Sequence, residues 1–523
     1  MASFKLEGNT YFYANGRWLD HNSKQVSDDL AKRLNEVYSS EKIKEKEEKQ
    51  MKLSQIAKKM EKRYSSYSKE SYSSGIKHKV AIERRYEKPV ELTLEQKKAL
   101  DLLESGDNVF LSGEAGTGKS FVLNEFIRRA KNKNIMVCAP TGIAAINIGG
   151  TTLHRAFEIP IGPLKPGQYN SKPSEAIIKA DIIIIDEISM CRFDTFEFVI
   201  KTIRNAEVIC QNKKNIEALN NGENPELLKP KQIIVVGDFY QLPPVIMPKH
   251  KEILDVYWGA EITKEGFAFQ ADSWDELCFK NIILKEVVRQ RGSKEFLTNL
   301  NLIRKGNAFG IDWFNRNASK IPVEESIYLC PTNRQADSIN REKSEDLPGD
   351  AVIYTAEVIG EVQESDKVTH DELALKVGMQ VMTLVNNHEE GYKNGSIGRI
   401  ISLEEDLVKV ELNTGAQVDV RVYDWEIYGY EIQEEKLVKV VLGNYKQIPL
   451  KVAYAITIHK SQGQTYSSAN ISPNCFAAGQ LYVALSRVEK IEEMSLEYDI
   501  RRSALIVSNS VKQFYEGLVE VLV

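Results

Sequence analysis

No two of the six cysteines form a CxxC pair, which argues against a zinc module or a disulfide framework and fits a reducing compartment. Cys138, Cys191, Cys210, Cys278, Cys330 and Cys475 are scattered, as core or incidental residues are. No apolar run reaches the roughly 18 residues that a membrane span needs, so no partner membrane is expected. The opening MASFKLEGNTYFYANG has neither the apolar stretch of a secretory signal nor the arginine-rich character of a transit peptide. A cytoplasmic location is therefore the expectation. Nor is there an overall excess of lysine and arginine: the net charge is −5, which does not by itself suggest a nucleic-acid binder. Locally the balance differs. Glu41 to Arg63 carries nine basic and five acidic residues, chiefly a solvated helical face, with nucleic-acid or partner contact as the alternative.

What is present is a long chain of 523 residues, 42% hydrophobic and 27% charged, enough for roughly three or four domains. Residues 1–89 read as an N-terminal extension. TYFYANGRWLD alternates around Asn15-Gly16, a hairpin signal; a charged helical stretch and the low-complexity YSSYSKESYSS linker follow. From about Leu92, NVFLSG, IMVCAPTG, ADIIIID and KQIIVVGD are buried-strand runs ending in small or polar residues. They imply an α/β fold with parallel strands covered on both faces, its ligands at the strands' carboxyl ends. A second α/β set opens at ESIYLCPTN and returns at VAYAITIHKSQ. Between them, residues 391–451 alternate with glycine and asparagine turns, the pattern of a small antiparallel barrel.

GEAGTGKS, Gly113 to Ser120, fits the P-loop pattern between a strand and a helix. Its backbone N–H groups, at Gly113, Ala115, Gly116, Thr117 and Gly118, can face phosphate oxygens, Lys119 can reach the terminal phosphates and Ser120 can hold Mg2+. IIIIDEISM places Asp186 for the metal and Glu187 for activating water. A glutamate there favours hydrolysis over transfer, and no Asn-Lys-x-Asp signature is present, so ATP is the expected nucleotide. In GDFYQLPPV, Gln241 follows a third strand and can report the γ-phosphate. ITIHKSQGQT has no metal-ligand spacing or nucleophile elbow, so its role must come from elsewhere in the chain.

GEAGTGKS, APTGIAAINIGGTTLH, DEISM, GDFYQLPPV, VVRQR, HKSQGQT and YVALSRV, in this order, resemble the Pif-type DNA helicases of superfamily 1B, relatives of RecD. The likeness runs from about Leu92 to the C-terminus. EISMCRFDTFEFVIKTIR occupies the place of that family's signature helix, and its Cys191-Arg192-Phe193 departs toward bacterial or phage members. The resemblance implies two RecA-like domains, 90–285 and 286–390 with 452–523, an accessory domain of the Src-homology-three type at 391–451, and a strand-splitting wedge near 155–175. It also implies single-stranded DNA and duplex junctions as partners, a monomer, and movement 5′ to 3′ with unwinding.

Residue by residue, the likeness assigns the γ-phosphate arginines to Arg289 and Arg487 and the adenine-reading glutamine to Gln96. Pro140, Thr141, Gly142, His154 and Phe157 fall on the first domain's strand-binding surface. Phe157 can stack on a base or pack in the core. His459, Ser461, Gln462, Gly463 and Thr465 are DNA-contact or coupling residues in the second domain; hydroxyl, amide and glycine contacts of this kind grip a strand without reading sequence. The competing reading is a DNA-binding ATPase switch that remodels a partner without unwinding, with residues 1–89 docking a protein partner.

Overall fold

The computed structural model describes residues 2–6, 9–14, 17–19, 92–287, 294–433 and 436–520. It divides into two units, Met1–Glu91 and Leu92–Val523. In the first, β1 (Ala2–Leu6), β2 (Asn9–Ala14) and β3 (Arg17–Leu19) form an antiparallel sheet. Ala14 pairs with Arg17 across Asn15-Gly16, the register expected of the hairpin. The charged segment at 41–63 and the serine-tyrosine linker lie outside the described residues.

The second unit opens with α1 (Leu94–Glu104), started by a capping box in which Thr93 and Gln96 exchange side-chain and backbone hydrogen bonds. Gln96, Ala99, Leu100 and Leu103 are its buried face, the i, i+3, i+4, i+7 spacing of an amphipathic helix. Strands β4 (Val109–Gly113), β5 (Ile135–Ala139), β6 (Thr151–Thr152), β7 (Ile182–Ile185), β8 (Gln232–Val236) and β9 (Lys280–Leu284) form one parallel sheet in the order β6-β5-β7-β8-β4-β9. The four apolar runs singled out in the sequence are β4, β5, β7 and β8. Because β4 lies between β8 and β9, the chain reverses direction across the sheet beside it, which is where an open α/β sheet forms its crevice. α2 (Lys119–Arg129) follows β4, and the 28-residue α3 (Phe193–Asn220) covers one face of the sheet.

A second parallel sheet has the order β11-β10-β12-β13, with β10 at Ile327–Cys330, β11 at Ala455–Thr457, β12 at Ala469–Ile471 and β13 at Met494–Leu496. α4 (Lys294–Arg304) and α5 (Gln480–Leu485) pack with it through Phe296, Leu300, Ile303 and Val483. The antiparallel strands inserted between β10 and β11 begin at Val352, about 40 residues before the start expected from the sequence. They pair as Gln417–Arg421, Leu407–Leu412, Ile397–Leu403, Gln380–Thr383 and Leu450–Val452, an open order among the described strands rather than a closed ring. A long hairpin, Tyr423–Gln433 with Lys436–Gln447, rises beside them. It reaches the first sheet, where Tyr430 Oη accepts from Val137 N at 3.0 Å. The terminal helix α6 (Asn509–Gly517) also returns to the first domain, stacking Phe514 on Phe269 with ring centroids 4.3 Å apart. No helix among the described residues is long and apolar enough to cross a membrane.

Candidate functional site

The crevice at the carboxyl end of the first sheet is built from three strand ends. After β4 the chain turns through Gly116 (φ 82°) and Gly118 (φ 84°) into α2. At Gly118 a Cβ would lie 2.6 Å from Gln96 Nε2, so both the left-handed backbone and the close approach demand glycine. Gln96 braces this loop: its amide donates to the Thr117 carbonyl at 3.1 Å and its oxygen accepts from Thr93 N. The expected adenine-reading group is thus engaged with its own chain, with one amide hydrogen left for a ligand. Lys119 Nζ donates to the carbonyls of Gly113 (2.9 Å) and Glu114 (3.1 Å). Burial lowers its pKa, against the opposing pull of Asp238, Glu187 and Asp186.

The end of β7 supplies Asp186 and Glu187. Burial, and then the neighbouring Glu187, push the Asp186 carboxyl up to about 7. Glu187 is also raised by burial, opposed by Lys119, Arg487 and a hydrogen bond from Gln462. Its φ of 50° is one that a residue with a side chain holds only where its surroundings fix it. Two carboxylates and an ammonium in a desolvated crevice suit a phosphate–metal ligand, since each charge is poised to be compensated when the other groups arrive. The donors fit magnesium: the exposed Ser120 hydroxyl and the Asp186 carboxylate are hard oxygens. No group of three or more His, Cys, Asp or Glu side chains able to hold a metal occurs among the described residues, and magnesium takes few protein ligands.

Across the crevice stands the second domain. β11 ends at Thr457 and the chain enters the HKSQGQT turn. Gln462 Nε2 donates to Glu187 Oε2 at 3.3 Å, and a Cβ on Gly463 (φ 77°) would lie 3.8 Å from Glu187 Oε1. Arg487, 4% exposed, donates to the carbonyls of Ser461 (3.1 Å), Gln464 (2.9 Å) and Val483 (2.8 Å), binding this turn to α5. It also acts on Glu187 through its charge. The turn, the arginine and the Glu187 carboxylate therefore form one connected unit. Arg289 lies outside the described residues. Gln241 is buried at the end of β8, its carbonyl 2.4 Å from where a Cβ on Gly479 of the second domain would lie.

Two of the expected DNA contacts are corrected by packing. Phe157 is fully buried in the first domain's hydrophobic core, so its ring has no face for a base. Ser461 is likewise fully buried, its hydroxyl donating to Ile458 O, so of its two expected roles packing removes direct contact and leaves coupling through the turn. His154 and Gly463 are exposed, and Pro140, Thr141, His459, Gln462 and Thr465 are half-buried. Thr141 caps the short helix Gly142–Asn147. Gly142 itself is buried beneath the insertion: a Cβ there would fall 1.9 Å from the Ser365 carbonyl oxygen, and the adjacent Arg155 pairs with Asp366 at 2.5 Å. A strand reaching Gly142 requires the insertion to shift. Between residues 158 and 173, Ile161 is fully exposed while Arg192 Nη2 holds the Gly162 carbonyl at 2.8 Å and Trp258 Nε1 the Leu164 carbonyl at 2.8 Å. The expected wedge thus has an apolar tip on a braced base.

Four further residues meet at the crevice without having been singled out. Tyr482 Oη accepts from Ala115 N in the P-loop at 3.0 Å, and Arg304 pairs with Asp238. Tyr515 Oη bonds Ser112 at 2.7 Å and accepts from Phe239 N at 3.2 Å. For Arg304 a signal existed: Phe296, Leu300 and Arg304 share one helical face at i, i+4, i+8, which places a lone arginine on an apolar stripe.

Comparison with known proteins agrees with this geometry. Residues 91–309 match the PIF1-like helicase family. The ATP-dependent DNA helicase Pif1 of Campylobacter jejuni is 30% identical over 467 residues, covering 80% of this chain and 96% of the relative; that of Danio rerio is 31% identical over 459 residues, 82% and 64% respectively. Bacteroides Pif1 in complex with ADP-AlF4 superposes with a TM-score of 0.71 at 32% identity, over 82% of this chain and 97% of that one. The same helicase bound to single-stranded DNA gives 0.56 over the same shares. With about 30% identity to Pif1 helicases and a shared architecture along most of its length, the chain belongs to the PIF1-like helicase family.

Proposed function

We propose that the chain is an ATP-dependent DNA helicase that translocates 5′ to 3′ on single-stranded DNA and unwinds the duplex ahead of it. The observation that carries this reading is the Gln462–Glu187 hydrogen bond, which joins the HKSQGQT turn to the carboxylate that activates water. Relatives with this architecture have been seen with ADP-AlF3 and single-stranded DNA and at forked duplex DNA.

In the proposed cycle, Lys119 exchanges its two carbonyl partners for terminal phosphate oxygens, while the P-loop N–H groups cradle the phosphates. Ser120 and Asp186 would hold Mg2+, which supplies charge neutralisation at the phosphates. Glu187 orients the attacking water and takes its proton. Arg487 and Arg289 stabilise the charge that develops in the transition state. A strand pressing on His459, Gly463 and Thr465 shifts Gln462 and so alters how Glu187 is held, which makes turnover depend on DNA. The exposed Ile161 tip separates the strands. The protein acts as a monomer in a bacterial or phage-infected cytoplasm, with residues 1–89 available to a protein partner.

The test is strand displacement with Mg-ATP on partial duplexes carrying a 5′ or a 3′ single-stranded tail. Opening of the 5′-tailed substrate alone is expected. Opening from the 3′ tail alone would overturn the polarity, and hydrolysis without opening either would favour the partner-remodelling switch.

A further inference from the structure

Lys119 stands near three carboxylates, Asp186, Glu187 and Asp238, yet its hydrogen bonds go to the carbonyls of Gly113 and Glu114. Of the three, Asp238 acts on the ammonium most strongly. What occupies Asp238 instead is a residue of the other domain. Arg304, the last residue of α4, is 4% exposed and grips the fully buried carboxylate with two prongs, Nη2 to Oδ1 at 2.8 Å and Nε to Oδ2 at 3.1 Å. Its guanidinium lies 4.3 Å from the Tyr240 ring centroid, and Tyr240 is stacked on Tyr515 at 4.8 Å. Tyr240 N and Tyr515 Oη also donate to Asp238 Oδ1, at 3.1 and 3.4 Å. Burial disfavours the charge on Arg304, but Asp238 outweighs it, so the arginine is held firmly protonated.

We propose that Arg304 is a positioning residue for nucleotide hydrolysis: reaching across the crevice, it neutralises Asp238 and so leaves Lys119 free for the terminal phosphates instead of pairing with that carboxylate. A planar fork suits the task, since it satisfies both oxygens at once and remains charged when buried. The arrangement also makes the grip on nucleotide depend on domain closure. When α4 withdraws, Asp238 becomes a buried charge without its cation, Lys119 is drawn toward the carboxylate that already acts on it, and the phosphate loses its lysine as the crevice opens. This inference rests on the ATPase reading above.

The experiment measures KM for Mg-ATP and kcat in the full chain with single-stranded DNA present, together with a melting curve for each variant. Turnover by the parent protein tests the ATPase reading; the variants test the inference alone. Arg304→Met fills the space without the charge, and its KM should rise about tenfold or more, because removing one partner of a buried charge pair leaves the other to find a new one. Adding Asp238→Asn to it removes the competing carboxylate and should bring KM back to within about threefold of the parent. A double variant no better than Arg304→Met would overturn the proposal, as would an unchanged KM in the single variant. If Arg304→Met does not fold, Arg304→Lys decides. It keeps the charge without the fork, so a KM within about threefold of the parent supports the proposal, as does a rise that adding Asp238→Asn reverses; a rise of about tenfold that persists in that double variant overturns it.

Discussion

Replacing Gln462 with alanine removes the hydrogen bond that links the HKSQGQT turn to Glu187. The bond is 3.3 Å long and half-buried, with an ionisable carboxylate as acceptor. Hydrogen bonds to charged groups contribute about 1.5–3 kcal/mol, and a long one belongs at the low end. Because the role proposed for Glu187 is on the attacking water rather than on bound nucleotide, the loss should appear in kcat and not in KM. About 1.4 kcal/mol is a factor of roughly ten in rate. The expected result is a roughly tenfold lower kcat in the presence of saturating single-stranded DNA, with KM for Mg-ATP within about twofold of the parent. A steady-state assay of phosphate release over a range of ATP and DNA concentrations measures both. Unchanged DNA-stimulated kcat would refute the claim that this contact transmits the strand's presence. A large rise in KM with constant kcat would mean that Gln462 serves nucleotide binding instead.

Phe157→Ala should destabilise the protein by about 3–5 kcal/mol, as truncation of a fully buried phenylalanine does, while the folded variant keeps its affinity for single-stranded DNA. Urea unfolding and fluorescence-anisotropy titration measure the two, and weakened DNA binding at unchanged stability would restore the stacking role. Deleting Gly162 to Gly167 removes the segment next to the exposed Ile161 tip; strand displacement should be lost while DNA-stimulated hydrolysis survives, and unwinding by the deletion variant would refute the wedge. Asp186 binds its proton more tightly in the folded protein, near pH 7, than an aspartate at its ordinary 3.8. The folded state gains stability from that proton as pH falls from about 7 toward 4, and loses it as pH rises. In magnesium-free buffer the melting temperature of the parent should therefore fall more steeply between pH 5 and pH 8 than that of Asp186→Asn. Equal slopes would contradict the burial of this carboxyl.

The crevice was largely readable in the chain because each of its parts is local. Gly113 to Ser120 must form one turn at the end of one strand, and Ile182 to Glu187 announces both a buried strand and the charges at its end. Contacts made across the fold were less visible. Phe157 sits in a short helix whose pattern does not distinguish the core from the strand-binding surface, and only its complete burial in the folded core does. Ser461 looked like a polar contact because its hydroxyl has no local reason to be buried, yet the turn closes on it. The insertion begins earlier than the alternation suggested because the strands at Val352–Thr355 and Glu357–Gly360 are mostly exposed and carry no inward-outward pattern. Arg304 was detectable from its place on an apolar stripe, but its partner Asp238 belongs to another domain 66 residues away.

In the proposed mechanism the turn at His459 to Thr465 and the phosphate crevice work as one device. This coupling is tested most directly by measuring ATP hydrolysis of the purified chain in magnesium, with and without unstructured single-stranded DNA. Strong stimulation by the strand is expected, lost in Lys119→Ala together with nearly all turnover. Basal hydrolysis that single-stranded DNA leaves unchanged would contradict it.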